Sequence, residues 1–529
     1  MTYTDSAFLF IFFPIVVVIY NALPKKCRGI ALLLFSYVFF FIISRKLIVY
    51  IWVSTFIIWL FSFIVKKIQN KRDKELMDCE KDNKKALKEK YKKKQRIFMI
   101  ISIFINLGLL IVLKYSSFIG NNINALLESL KLTTALSIKS FALPIGISFY
   151  TLQTISYVAD VQKGVIKPDT NIGRLALYLA FFPQIMEGPI CRYSETAEKL
   201  WNGERTTYEG LTYGLQRIIF GLAKKLIIAD RINILVNEVF NNYAGYDGGI
   251  IAVGMILYTW QLYMDFSGVM DIAIGIGQVF NVKLPENFKQ PFFSKSISDF
   301  WTRWHITLGA WMRDYIYYPV SMSKISKKMT TTLRKKVGNY YGPLITSTFA
   351  LFLVWLANGF WHGSAWSFIF YGMYHFTLIM LGRLFEPLTK KTLQKLHIDV
   401  KKCWYKVFQT IRTVIFVFIG ELFFRANGLK AGIEMFKIMI TKFSFKAITS
   451  GELLNLGLDI KDIVVILIFT VIMIIVGALK EKGINVREVI GKRNIVLRWA
   501  IYYTLILSVI ILGAYGVGYI PVDPMYANY

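Results

Sequence analysis

The sequence predicts an all-α polytopic membrane protein, and three observations carry that reading. Of its 529 residues, 55% are hydrophobic and 16% aromatic, more than ordinary soluble domains carry in long apolar runs. Several of those runs reach the ~18 residues that suffice to cross a bilayer. The formal net charge of +30 is dealt out in loops between the apolar runs. The positive-inside rule explains that pattern better than nucleic-acid binding does.

Taken in order, residues 7–23, 29–43 and 47–65 read as three spans, separated by LPKKCR and by a short SRK turn. The first run begins near Ser6 without a basic leader or small-residue cleavage site, so it is expected to be a retained span. Residues 66–96 then carry 14 Lys or Arg against six acids. They are expected to form a solvated helical loop on the cytoplasmic side, which places the N-terminus outside. Residues 97–115 return across the membrane, and 120–140 are mixed and extracytoplasmic.

The run 141–161 holds Pro144, Gly146, Ser148, Gln153 and Asp160, a composition suited to a helix packed inside a bundle. Residues 175–191 are short and broken by Pro183 and Pro189, and proline removes a backbone donor. A bent or re-entrant segment is expected there, tolerated at membrane depth only where protein or water surrounds it. Residues 211–229 carry Arg217, Lys224 and Lys225 and are expected to tilt or lie at an interface. The next run, 249–282, contains Asp265 and Asp271. Six residues is 240° round a helix, so these two do not form a paired-carboxylate site. Its glycines, Gly268, Gly275 and Gly277, lack a dinucleotide fingerprint and point to helix packing.

Residues 284–314 read as a helical, partly polar insert that contains His305. A second basic loop, 321–339, is placed in the cytoplasm, followed by two apolar runs joined by NGFWHG. Further spans are expected near 407–424, 462–480 and 497–518. The total is about eleven to thirteen transmembrane or re-entrant helices, in three parts: 1–96, 97–385 and 386–529.

The chemistry is narrowed by what is missing. Cys27, Cys79, Cys191 and Cys403 form no CxxC pair, so neither a disulfide framework nor a zinc site follows, and no metal is expected. No nucleophile elbow, P-loop or HExxH motif is present. What remains is histidine in membrane-embedded sequence, the side chain suited to taking a proton from a hydroxyl near neutral pH. His305 lies in TRWHITL and His362 in GFWHGSAW. His375 falls 13 residues beyond His362, ~20 Å away on a continuous helix, and reads as a weaker partner. His397 sits in a basic polar stretch and reads as solvated. A histidine among aromatics is more often a hydrogen-bonded structural residue, so the residues alone leave a membrane enzyme and a transporter open.

Four ordered motifs go further: FFPQIMEGPICRY, MDFSGVMDIAIGIGQVFNVKLPENFKQPF, DFWTRWHITLGAWMRDYIYYP and NGFWHGSAWSFIFYGMYH. Together they resemble the membrane-bound O-acyltransferase family, in the bacterial branch that holds alginate O-acetyltransferase and the D-alanyl transfer protein of teichoic acids. The resemblance covers about residues 100–385. Length and the extra C-terminal spans favour the alginate acetylation type. Family chains often end in aromatic residues, a character that the tail MYANY keeps.

The resemblance implies helices ringed around a tunnel, with His362 as the catalytic base and His305 as the second active-site histidine, positioning the donor or stabilising charge. Asn358, Trp361, Arg303 and Asp299 are implied as supporting groups, and Asp265 and Arg313 could form a structural pair. No cofactor is expected to be tightly bound. Acetyl-CoA is the implied acyl donor, with an acyl carrier protein thioester as the alternative. The implied partners are the lipid bilayer, an extracytoplasmic serine-hydrolase-like acetyltransferase and polysaccharide synthase machinery. The implied reaction is O-acetylation of an exported polysaccharide, against two alternatives: D-alanyl transfer to teichoic acid, or a non-catalytic export or synthase subunit. A direct two-histidine mechanism fails if the imidazoles lie more than ~15 Å apart with no connecting cavity, since general-base contacts need hydrogen-bond reach or one bridging water.

Overall fold

Helices account for all the regular structure in a computed structural model, which describes residues 1–132, 136–515 and 522. Most of the tail 519–529, with its MYANY ending, lies outside the described residues. Seven helical segments are long and apolar enough to cross a membrane, or eight if the bent pair Trp366–Leu384 and Glu386–Lys395 is one span. This all-α polytopic membrane architecture is the one expected from the sequence. The number of clean spans falls below the eleven to thirteen membrane segments expected because several of those segments are short, buried helices.

One of the seven, Lys25–Met77, is itself a hairpin. Tyr37 and Trp52 would stand ~22 Å apart on one straight helix, yet their ring centroids are 6.1 Å apart. The chain reverses at Arg45–Leu47, where the SRK turn was expected.

The fold divides into two units. The first comprises residues 1–218, 272–285 and 524–529. Its interior is aromatic: Tyr3, Phe8, Phe39 and Phe182 pack ring on ring. The broken segment is buried here, with helices Ile172–Ala180 and Phe182–Ile185 meeting at Phe181. Its irregular backbone is satisfied by side chains, since Phe182 N–H donates to Ser36 Oγ at 3.2 Å and Tyr3 Oη donates to the Phe182 carbonyl at 2.6 Å. That is the condition under which non-helical backbone survives at membrane depth. Helix Ile147–Lys163 is almost wholly buried, as its small and hydroxyl residues predict. It starts from Gly146 at φ 72°, where a Cβ would sit 2.0 Å from the Ile185 carbonyl oxygen. Only glycine meets both demands.

The second unit comprises residues 219–271 and 286–523. The three C-terminal spans appear as Cys403–Arg425, Ile460–Glu481 and Ile495–Leu512, within a few residues of their expected places except that the last stops short of 518. Lys224 and Lys225 correct the interfacial reading of 211–229. They are buried in the π-turn Ala223–Ala229 and paired there. Lys224 Nζ lies 2.5 Å from Asp271. Lys225 Nζ lies 2.9 Å from Asp230 and 2.7 Å from Asp265. Val522 closes this charge centre, its carbonyl accepting from Lys225 Nζ and its N–H donating to Asp230 Oδ1, each at 2.9 Å. Arg231 pairs with Asp462 and donates to the Leu512 carbonyl, which ties the last two of these spans to the same helix. Gly268 would drive a Cβ to 2.8 Å from the Gly221 carbonyl, so it serves helix packing as its spacing suggested.

The basic stretch 66–96 is helical, as expected, and 321–339, read as a loop, is helical over most of its length. Residues 66–96 are the ends of two helices, Ile48–Met77 and Lys84–Ser129. Residues 324–362 are helical on both sides of Gly338, which has φ 86°. A Cβ on Gly342 would lie 2.7 Å from the Arg334 amide, so the chain folds back on itself at Gly338 instead of looping loosely.

Candidate active site

The site is built entirely in the second unit. Ser296 caps the short helix Ile297–Arg303 by accepting the Asp299 amide at 3.1 Å. The helix then stops: Trp304 is extended and His305 is left-handed at φ 46°, before helix Ile306–Met312 resumes. The insert is therefore helical, as read, but broken into two short helices, and the break falls on His305. A non-glycine residue in that conformation costs of order 1–2 kcal/mol, and such strain persists only where the surroundings impose it.

Asn287 imposes it. Fully buried, its Oδ1 accepts from Thr307 N–H at 3.1 Å and Thr307 Oγ1 at 2.9 Å, and lies 3.2 Å from His305 Nδ1. Its carbonyl accepts the Ile306 amide at 3.0 Å. A backbone N–H can only donate, so the atom facing it is the amide oxygen, and Nδ1 of His305 must carry the proton. In the neutral ring the lone pair is then on Nε2. Sequence reading missed Asn287, although it stands in the LPENFKQPF motif.

His362 ends the helix Lys324–His362, and Gly363 opens the turn into Trp366–Leu384. Trp361 lies between the two histidines: its ring is 5.4 Å from His305 and 5.0 Å from His362, edge to face in both cases. The imidazole centroids can be no farther apart than those two distances laid end to end, inside the ~15 Å criterion set by proton-transfer reach. Both histidines are buried. Asn358, one turn before His362, is also buried, and its Oδ1 has no hydrogen-bond partner among the described residues.

His375 was set aside on the premise of a continuous helix. The helix ends at His362 and the next one turns back, so both His362 and His375 pack edge-on against Tyr371, at 6.0 and 4.7 Å. Tyr371 Oη donates to Glu421 Oε1 at 2.8 Å. His375, Tyr371 and Glu421 thus form a buried polar cluster on the flank of His362, with Trp301 and Trp355 closing over His375. Glu421 comes from a distant span, Cys403–Arg425, so no local pattern could have paired it with His362.

Arg303 pairs with Asp299 and with Glu481, each at 2.8 Å, rather than with either imidazole. Asp265 pairs with Lys225, and Arg313 with its neighbour Asp314 at 3.1 Å, so those two are not each other's partners. His397 is exposed, as read.

Asn287→Ala should lower activity about 10- to 100-fold, because misplacing a catalytic group by ~1 Å has that order of effect. Asn287→Asp, which keeps an acceptor, should lose less. Turnover per unit of membrane-embedded protein checks this, and a loss that merely followed protein level would assign Asn287 a purely structural role.

A membrane-bound O-acyltransferase family model matches residues 165–333, the interval that contains the broken segment, the charge centre and His305. Over 84% of its length the chain is 30% identical to a probable alginate O-acetylase of Pseudomonas syringae pv. tomato, covering 76% of that protein. It is 31% identical to a peptidoglycan O-acetyltransferase of Helicobacter pylori over 65% of each chain. It is 32% identical to a teichoic acid D-alanyltransferase of Bacillus subtilis, over 47% of this chain and 60% of that one.

Proposed function

Because the chain belongs to the membrane-bound O-acyltransferase family and is an O-acyltransferase, we propose that it carries an acetyl group from a cytoplasmic thioester across the membrane to acetylate an exported polysaccharide. The observation that carries the chemistry is the pair of buried histidines, His305 and His362, packed against one indole, that of Trp361. His362 takes the proton of the acceptor hydroxyl as its oxygen attacks the acyl carbonyl, and the thiolate leaves. His305, with Nδ1–H bound to Asn287, turns Nε2 toward the donor and the developing charge. Asn358 and Trp361 support His362, while Arg303 and Asp299 hold the break before His305 in place.

Acetyl-CoA is the proposed donor. Matches to alginate O-acetylases run over most of the chain, whereas the D-alanyltransferase matches cover only about half of it, which supports acetyl over D-alanyl. Both O-acetyl-transferring relatives are named for glycans, so the proposed acceptor is a glycan hydroxyl, reached directly or through an extracytoplasmic serine-hydrolase-like partner beside the synthase. The basic segments 66–96 and 321–339 support a cytoplasmic face there and an external N-terminus in the cell membrane.

Membranes containing the protein, supplied in parallel with labelled acetyl-CoA and with a labelled D-alanyl carrier protein, separate the two donors. Acetyl ester should accumulate on surface glycan only when the protein is present. Label from D-alanine alone would replace the acetyl reading with the D-alanyl one.

A further inference from the structure

The basic stretch 66–96 has a feature that charge placement alone does not require. A cavity of about 600 Å³ opens on its flank, walled by the end of Ile48–Met77, the start of Lys84–Ser129 and the last turn of Ile147–Lys163. Arg72, Lys88, Lys92 and Lys163 line it, against Asp73 and Glu89. Arg72 and Asp73 pair with each other at 2.8 Å, which leaves Lys88 and Lys92 beside Glu89 on the cavity wall.

Lys88 and Lys92 are one turn apart on one helix face, where like charges repel. Neither has a carboxylate within ion-pair distance among the described residues. Gln95 continues the same face into the cavity. It is only 4% exposed, and its amide makes no hydrogen bond to any described residue. Positive-inside topology needs lysines in this stretch, but it needs neither a cavity nor a buried, unpartnered amide at its floor.

The depth narrows the ligand. The apolar run begins at Ile97, so Gln95 stands ~3 Å and Lys88 ~13 Å beyond it along the helix. That interval spans the headgroup layer and the water just past it.

We propose that this cavity binds a phosphate group, with Lys88 and Lys92 supplying charge and Gln95 donating its amide hydrogens to phosphate oxygens. The phosphate comes either from an anionic phospholipid headgroup or from a soluble phosphate compound. The site stands independently of the acyl-transfer reading.

The test uses the full-length protein in neutral detergent. Binding of phosphatidylglycerol, phosphatidylcholine and inorganic pyrophosphate is measured for the parent, for Lys88→Ala with Lys92→Ala, for Gln95→Leu, and for Lys84→Ala with Lys85→Ala. The last pair removes the same charge outside the cavity. A juxtamembrane lysine contributes about fivefold in binding, so the cavity pair should weaken binding at least tenfold. Gln95→Leu should weaken it several-fold and the outside pair less than twofold. Capture of phosphatidylglycerol and not pyrophosphate assigns a lipid headgroup; the reverse assigns a soluble phosphate. If Gln95→Leu fails to fold, Gln95→Glu keeps the size and should abolish binding. Equal losses from the two lysine pairs, or full binding by the Gln95 variants, would overturn the site.

Discussion

His362→Ala should remove acyl transfer, lowering it about 10²- to 10⁴-fold, the range that a positioned general base contributes. The variant should still reach the membrane at the normal level. His362 is the last residue of its helix and Gly363 follows it, so truncating the ring does not interrupt a ladder of backbone hydrogen bonds. Its neighbours include the rings of Trp361, Tyr371 and Phe424, so the fold loses packing there. His305→Ala should cost less, about 10²- to 10³-fold, as removal of one group that stabilises developing charge typically does. Surface acetyl ester, normalised to membrane protein, measures both. Unchanged acetyl content in His362→Ala would end the assignment of His362 as base. Glu421→Gln keeps a partner for Tyr371 Oη and should retain most activity if the cluster only positions the ring.

The second large effect is on stability. Lys225→Ala should destabilise the second unit by about 3–5 kcal/mol, the cost of breaking a buried ion pair from one side. Here the cost is compounded, because Asp230 and Asp265 both contact the same Nζ and would be left facing each other. Total stability of a domain is commonly only about 5–15 kcal/mol, so little folded protein should be recovered. Combining Lys225→Met with Asp230→Asn and Asp265→Asn should restore much of it, since neutral, well-packed groups often replace a buried ion cluster without loss. Thermal midpoints in detergent measure both variants, and an unshifted midpoint for Lys225→Ala would mean that the cluster is dispensable.

Local pattern carried the spans well, because hydrophobicity is summed over many residues and tolerates error at each. The two histidines were legible through their motifs. What escaped is long-range or conformational. Asn287 looks like any polar residue until the chain brings Thr307 and His305 to its side chain. Glu421 is far from His362 in sequence and reaches its flank only through Tyr371. His375 was misjudged because a helix was assumed to continue past His362, where Gly363 in fact lets it turn. The lysines at 224 and 225 suggested an interface because their counter-charges, Asp271 on one side and Asp230 with Asp265 on the other, are not all in the same local stretch. Basic composition likewise suggested a loop at 321–339, where charge decides the side of the membrane and says little about whether the chain is helical.

Val522 gives this architecture a direction in time. Lys225, Asp230 and Asp265 all lie before residue 272, yet the backbone that completes the hydrogen bonding of Lys225 and Asp230 comes from Val522, nearly 260 residues after Asp265. During synthesis those three charges enter the bilayer with one bond still owed on each side. Insertion of this unit therefore cannot finish span by span. It closes like a latch, once, when Val522 arrives.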